Sequence, residues 1–343
     1  MSKNKKILVT GGLGYIGSHT VVELLENGYD VVIVDDLSNS HEQTILNIKA
    51  IVDKDIDFIK LDLKDYGLTR ELFVTHKFDA IIHFAANKAV SESVNYPLKY
   101  YRNNLQSTIN LLELMEEFGV DHMVFSSSCT VYGQPDQLPV TEQTPFKPAE
   151  SPYGNTKKIA EDILGDCADA NADLQLIALR YFNPIGAHAS GMIGENAQGV
   201  PENLVPYLTQ VAAGIRPKLS VFGSDYATSD GTAVRDYIHV VDLAKAHIVA
   251  LERVLNKVNK SNYEYFNIGT GNGYSVLELI ETFESVNSVK LNYEIVPRRP
   301  GDIEQIYADT TLANDELGWK AELGLEDMLK SVWEWQKKLA QQN

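Results

Sequence analysis

The sequence predicts a doubly wound α/β fold: a mostly parallel sheet flanked by helices, with a smaller α/β substrate domain interleaved at its C-terminal side. Three observations carry this. Short, continuous Val/Ile/Leu/Phe runs alternate with longer amphipathic stretches through the first half of the chain, the pattern of strands covered on both faces. The first run leads into Gly11-Gly12-Leu13-Gly14-Tyr15-Ile16-Gly17, and the second ends on Asp35. A glycine turn answered by an acid at the next strand end marks a Rossmann dinucleotide-binding unit. After Tyr181 the rhythm breaks into a Gly/Ala/Asn/Pro-rich stretch, residues 183–199, and long ordered loops are often functional.

In chain order, strands are expected at Lys6–Thr10, Asp30–Asp35, Asp57–Leu61, Ala80–Ala85, His122–Ser126 and Leu174–Tyr181. Helices are expected between them, notably Tyr15–Asn27, Leu98–Phe118 and Pro152–Ala170. Beyond the loop come a helix at Leu204–Ala213, a Gly/Ser/Asp-rich segment at Gly223–Thr232 and a strand near Ala233–Val241. Short strands (Tyr265–Ile268, Leu291–Val296) and helices (Ser275–Ser285, Leu325–Leu339) complete the chain. Residues 1–182 with about 234–266 are expected to form the cofactor domain, and about 183–233 with 267–343 the substrate domain.

The 343 residues allow one large domain and a smaller one. A net charge of -17 repels nucleic acid and anionic membranes, so neither is an expected partner. The two cysteines, Cys129 and Cys167, suggest no disulfide framework or thiolate metal cage. No metal is expected. The apolar run after the basic start is too short for a signal peptide, and none is long enough to span a bilayer. A cytoplasmic location is the expectation.

Gly11, Gly14 and Gly17 stand three residues apart, letting the chain turn tightly and approach a pyrophosphate. The helix opening near Tyr15 would aim free N–H groups at the phosphates. Asp35 and Asp36 suit an adenosine ribose and repel a 2′-phosphate, and no Arg or Lys follows within a few residues. The expected cofactor is therefore NAD rather than NADP. Asp35 is preferred because it ends the apolar run. Asp62, at the next strand end, reads equally as an adenine contact or a polar strand cap.

Tyr153 and Lys157 lie four residues apart in a predicted helix and so share a face. A free phenol has a pKa of about 10. A neighbouring ammonium and a nicotinamide cation would favour the phenolate, and lowering it by roughly three units takes about 4 kcal/mol. Upstream, Ser126-Ser127-Ser128 stands at a strand's C-terminal end, where ligands bind in open α/β sheets.

This combination resembles the extended short-chain dehydrogenase/reductase family, in its branch of nucleotide-sugar 4-epimerases, along nearly the whole chain. The resemblance is carried by 11–17, His83-Phe84-Ala85-Ala86, the Ser-Ser-Ser-Cys-Thr-Val-Tyr-Gly run 126–133 and Ser151–Lys157. Further matches are Leu179–Pro184, Val234-Arg235-Asp236-Tyr237-Ile238-His239-Val240 and Arg298-Arg299-Pro300-Gly301-Asp302. It implies that Tyr153 takes the sugar 4-hydroxyl proton, assisted by Ser128, and that Lys157 holds the nicotinamide ribose. It implies cofactor contacts at Gly11, Gly14, Tyr15, Ile16, Gly17, Asp35, Asn39, Asp62, Leu63, Phe84, Ala85, Lys88, Asn103, Ser126, Tyr153, Lys157 and Tyr181. A UDP-sugar would lie against Ser128, Tyr153, Phe182, Asn183, Asn203, Leu204, Arg235, Arg299 and Asp302. Asn103 and Asn104 are alternatively helix caps, Lys88 a surface lysine, and Arg235 with Asp236 a surface ion pair. The family also implies a homodimer through Leu98–Phe118 and Pro152–Ala170. Ile306 occupies the place that limits the sugar pocket, which leaves acceptance of N-acetylated sugars open.

Three rivals share parts of this pattern. A nucleotide-sugar dehydratase would carry an Asp-Glu pair where Ser128-Cys129-Thr130 stands. A UDP-glucuronate decarboxylase shares the fold, and a silent NAD sensor would not need both Tyr153 and Lys157.

Overall fold

Alternating strands and helices build one large sheet, and the chain then leaves it to make two small ones. The computed structural model describes residues 5–299 and 302–342; the start of the chain and Pro300-Gly301 of the arginine motif lie outside the described residues. The first half runs β1 (Lys6–Thr10), α1 (Tyr15–Glu26), β2 (Asp30–Asp35), α2 (Gln43–Val52), β3 (Asp57–Lys60), α3 (Tyr66–Thr75), β4 (Ala80–His83), α4 (Val90–Asn95), α5 (Pro97–Phe118), β5 (His122–Ser128), α6 (Pro152–Ala170) and β6 (Gln175–Tyr181). The second half runs β7 (Asn183–Ile185), α7 (Leu204–Ala212), β8 (Leu219–Phe222), β9 (Val234–His239), α8 (Val240–Leu255), β10 (Tyr263–Ile268), β11 (Gly273–Ser275), α9 (Val276–Asn287), β12 (Tyr293–Val296), β13 (Gln305–Ile306) and α10 (Leu325–Gln342).

The seven-stranded sheet has the order β10-β6-β5-β4-β1-β2-β3, and all its pairings are parallel. Strand order reverses between β1 and β4, which opens a crevice at their carboxyl ends. Consecutive residues of a strand face opposite sides, and here both sides are buried. Ile7 and Val9 pack with Val21, Leu24, Leu243 and Leu251 of α1 and α8. Leu8 packs with Leu111, Met115 and Leu164 of α5 and α6. This explains why the strands read as unbroken apolar runs.

The chain leaves the large sheet at Phe182, the single residue between β6 and β7. β9 lies at the centre of a second sheet, pairing with β7, β11 and β13. A third apolar cluster joins α7, β8, α9 and α10 through Leu208, Val221, Phe283 and Met328. The stretch 234–266, expected in one piece with the first unit, is thus divided. Residues 234–239 belong to the second sheet, because β7 delivers a pairing edge there, while α8 and β10 return to the first.

Several strand ends differ from expectation, and two of them lie at the cavity. β4 stops at His83, because Phe84 and Ala85 turn aside to bond Thr10: Phe84 N donates to the Thr10 carbonyl at 3.0 Å and Ala85 N to its hydroxyl at 3.3 Å. β5 runs on to Ser128, held by β6 as far as Tyr181. α2 and α3 fall between strands, where helices are expected without stated bounds; α2 buries only Ile48, so its apolar stripe is faint.

Candidate active site

A cavity of about 1080 Å3 follows the carboxyl edge of the large sheet from the switch point to β9 and β13. It is lined by Gly11, Gly14, Tyr15, Ile16, Gly17, Asp35, Asn39, Asp62, Leu63, Phe84, Ala85, Lys88, Asn103, Ser126, Ser128, Tyr153, Lys157 and Tyr181 on one side. Phe182, Asn183, Asn203, Leu204, Arg235, Arg299, Asp302 and Ile306 continue the wall. Every residue expected to contact the cofactor or the UDP-sugar therefore lines one cavity, although the two ends come from chain segments nearly three hundred residues apart.

The glycine turn is built for close approach. Gly11 adopts φ +67°, and a Cβ there would sit 2.8 Å from Ala85 N; at Gly17 it would lie 2.2 Å from the Gly11 carbonyl. Substitution at either position pushes backbone against backbone. Asp35 stands behind the turn, 8% exposed, accepting from Leu13 N at 3.1 Å, Leu37 N at 2.9 Å and Ser40 Oγ at 2.7 Å. Tyr15 reaches from the first turn of α1 to donate to the Gly186 carbonyl at 2.6 Å. The sequence left Asp62 between two roles. Its carboxylate pairs with Lys64 at 2.9 Å, and Lys64 also donates to Asn103 at 2.8 Å.

Neither asparagine of the 103–104 pair is a cap, since both stand inside α5. Asn104 is buried, donating to the Asn87 carbonyl at 3.0 Å and to Thr156 Oγ1 at 3.0 Å, so it ties α5, the segment after β4 and α6 together. Asn103 faces the cavity.

The reactive cluster sits where β5 meets α6. Ser151 caps α6 by accepting from Gly154 N at 3.2 Å, with Pro152 in the first turn, a standard helix start. That start presents Tyr153 and Lys157 to the end of β5. Lys157 is 4% exposed; its ammonium donates to the Ser126 carbonyl at 2.6 Å and lies 4.8 Å from the Phe125 ring centroid. Burial lowers its pKa to about 7, against the opposing field of Glu161. Burial likewise raises the Tyr153 phenol to about 12, opposed by a hydrogen bond with Ser128. Without a bound cofactor, burial therefore dominates the phenol, and the lowered value expected from the sequence belongs to the state in which a nicotinamide cation lies beside it. Ser126 shares a short hydrogen bond with the Tyr181 hydroxyl.

A buried ion pair that the sequence reading did not single out anchors this cluster from behind. Glu161, one turn beyond Lys157, takes two bonds from Arg180 Nε at 3.0 Å and one from Nη2 at 2.6 Å. It also accepts from Ser127 and, at 3.3 Å, from Tyr263. No local pattern announces a partnership between α6 and β6; only the fold joins them.

The opposite end is polar and more open. Arg299 donates to Asp302 at 2.8 Å and lies 5.3 Å from the Phe222 ring centroid. Arg235 Nη1 donates to the Val234 carbonyl at 2.8 Å. Asp236 forms no ion pair with it, because successive residues of β9 point to opposite sides and Asp236 is fully buried. Glu195, another residue missing from the sequence reading, accepts from Lys88 at 3.0 Å and Asn203 Nδ2 at 2.8 Å. Lys88 is thus engaged across the cavity mouth rather than free on the surface. The loop carrying Glu195 is pinned by α10: Trp335 Nε1 donates to the Glu195 carbonyl at 3.1 Å, and a Cβ on Gly194 would fall 2.6 Å from the Trp335 ring. Ile306 is 2% exposed and packs with Cys129 and Phe182.

Comparison with known proteins agrees with this geometry. The family profile described as GDP-mannose 4,6 dehydratase matches residues 8–332. A curated protein of Bacillus subtilis, UDP-glucose 4-epimerase, is 53% identical over 330 residues, covering 96% of each chain. A crystal structure of UDP-glucose 4-epimerase from Bifidobacterium longum, in complex with NAD+ and UDP, superposes with a TM-score of 0.93 at 47% identity, covering 97% of this chain and 98% of that one. A UDP-glucose-4-epimerase from Stenotrophomonas maltophila, with bound NAD and formylated UDP-arabinopyranose, gives a TM-score of 0.96 at 47% identity, covering 99% and 100%. The chain belongs to the UDP-glucose 4-epimerase family of extended short-chain dehydrogenases/reductases.

Proposed function

We propose that this protein is an NAD-dependent isomerase that interconverts UDP-galactose and UDP-glucose, serving galactose metabolism and nucleotide-sugar supply. The observation that carries the reading is the single cavity. It places Tyr153, Ser128 and Lys157 between a glycine cradle at one end and Arg235 and Arg299 at the other.

The residues fit NAD. The Gly11 and Gly17 cradle leaves no room for a Cβ, Asp35 closes the β2 end, and the ammonium of Lys157 is buried beside Ser126. Gly11, Gly14, Tyr15, Ile16, Gly17, Asp35, Asn39, Asp62, Leu63, Phe84, Ala85, Lys88, Asn103, Ser126, Tyr153, Lys157 and Tyr181 would hold it. Bound NAD supplies the acceptor and later the donor of hydride at sugar C4, so that a 4-keto sugar turned about its diphosphate link is reduced on its other face.

The chain's own residues do the rest. Tyr153 takes the 4-hydroxyl proton and returns it after the sugar has turned, with Ser128 bonded to the same oxygen. Lys157 fixes the ribose and adds positive charge beside the phenol, and a phenol at about 12 needs that help to act near neutrality. Arg235 and Arg299 hold the diphosphate through paired charge-assisted bonds, with Asn183, Asn203, Leu204, Phe182 and Asp302 around the rest of the nucleotide. For this Arg299 releases Asp302 and Asn203 releases Glu195, while Lys88 leaves Glu195 to reach NAD. The protein works as a cytoplasmic homodimer joined through α5 and α6, whose outer faces expose part of Ile109 and Ile159.

The test incubates purified protein with UDP-galactose and no added cofactor, and separates the products by chromatography. UDP-glucose is the expected product. No conversion after NAD is added and shown to bind would sink the assignment, and a 4-keto-6-deoxy product would favour the dehydratase. UDP-N-acetylgalactosamine in the same assay reads what Ile306 admits. Light scattering at working concentration reports the dimer; a monomer would remove that part.

A further inference from the structure

We infer that Asp236 is a positioning residue for nucleotide-sugar recognition: buried on the back of β9, it locks the strands that present Arg235 and Ile306 to the cavity. The inference rests on the proposed UDP-sugar reading. Asp236 has no exposed surface, and among the described residues no lysine or arginine forms an ion pair with it. Its charge is held by oriented donors. Oδ1 accepts from Thr270 N at 2.9 Å and Thr270 Oγ1 at 2.7 Å. Oδ2 accepts from Gly271 N at 3.0 Å and Ala308 N at 3.2 Å.

These donors come from two segments distant in sequence. Thr270 and Gly271 form the turn between β10 and β11, and Ala308 follows β13. Gly269 lets that turn close on the carboxylate, since a Cβ there would lie 2.5 Å from Oδ2. In the sheet, Arg235 is the register partner of Ile306 and of Tyr274, and Tyr237 that of Asn183. One buried carboxylate thus fixes the spacing of a diphosphate-facing arginine and a sugar-facing isoleucine. None of its four bonds reaches the glycine turn, Asp35 or α6, so the cofactor end does not depend on it.

Asp236→Asn places an amide against one of the two donor pairs, whichever way it is turned. The experiment measures UDP binding to the NAD-loaded protein by calorimetry, then KM and kcat for UDP-galactose, and bound NAD by absorbance. The expected result is a rise of about tenfold in the Kd for UDP and in KM, the scale of one charge-assisted contact, with kcat within about twofold and NAD content unchanged. Should that variant fail to fold, Thr270→Val removes one donor and is expected to raise the Kd about threefold, while Thr270→Ser keeps the hydroxyl and stays near the parent value. A lowered Tm with unchanged UDP affinity and KM would make Asp236 a scaffold residue only and overturn the inference. Parent protein that binds UDP but does not turn over UDP-galactose would fail the epimerase reading while leaving this one standing. Parent protein that binds no UDP would overturn both.

Discussion

The two ends of the cavity are stabilised in different ways. At the cofactor end the polar groups are already committed: Asp35 accepts from three protein donors and is 8% exposed, and the glycine turn packs backbone on backbone. At the substrate end the charges bond one another across accessible space. Arg299 engages Asp302 with its side chain 48% exposed, and Asn203 donates to Glu195 at 2.8 Å. Exposed pairs of this kind contribute roughly 0–1 kcal/mol, so a diphosphate can exchange into them at little cost. A rigid cradle suits a cofactor retained through many turnovers. Exchangeable pairs suit a substrate that must enter, turn over and leave.

Breaking the chemistry between the two ends should have the largest effect. Tyr153→Phe is expected to lower kcat by about 100- to 10,000-fold, the usual share of a general acid–base group, while the protein folds and keeps NAD. Near-normal turnover would remove Tyr153 from the mechanism. Gly17→Ala tests the cradle, because the new methyl meets the Gly11 carbonyl. Overpacking of that kind costs about 1–3 kcal/mol, and it should appear as lost NAD with the β9 side intact, read as UDP still bound. Retained NAD at full occupancy would mean the turn can yield.

A smaller effect is expected at the exchangeable end. Glu195→Gln frees Asn203 from a charge that competes with substrate, so KM for UDP-galactose should move by only a few-fold, on the order of 1 kcal/mol; Lys88, a cofactor contact, is freed as well, so NAD content should not fall. A change in NAD content without a change in KM would reverse the assignment of ends.

The smallest effect near neutrality concerns acid stability. Burial holds His19 and His83 down to about 3 and His239 and His247 to about 4. Their folded pKa values lie below the unfolded value of about 6.5, so the unfolded chain binds more protons between the two. Stability contributed by the neutral rings is full above that value and declines as pH falls, by about 1.4 kcal/mol per unit for each histidine. Thermal melting from pH 8 to pH 5 should show Tm level at first and then falling below pH 6.5. A Tm that rises toward pH 5 would contradict this.

Legibility in the sequence followed the same division. The cofactor end is local: one turn, one strand end and one helix face carry it, and their spacing follows from backbone geometry. β1, β2 and α6 accordingly run where the residues suggested. The substrate end is assembled from β7, β9, β13 and the loop before α7, and short strands with mixed burial leave little periodic signal. Arg235 and Arg299 entered only through resemblance. Glu195 had no signal at all, being one acid in a loop of small residues. The Glu161–Arg180 pair and the four donors on Asp236 are contacts between remote segments, which no spacing rule encodes. The burial that raises the Tyr153 phenol is likewise a property of the assembled fold, which the spacing of its helix does not encode.

The central claim is that hydride leaves and returns to the same carbon of one sugar within a closed site. It is tested most directly with UDP-galactose deuterated at C4, turned over in ordinary water and followed by mass spectrometry. UDP-glucose that keeps its deuterium at C4 is the expected product. Deuterium lost to solvent would contradict it, and would point instead to proton abstraction at carbon.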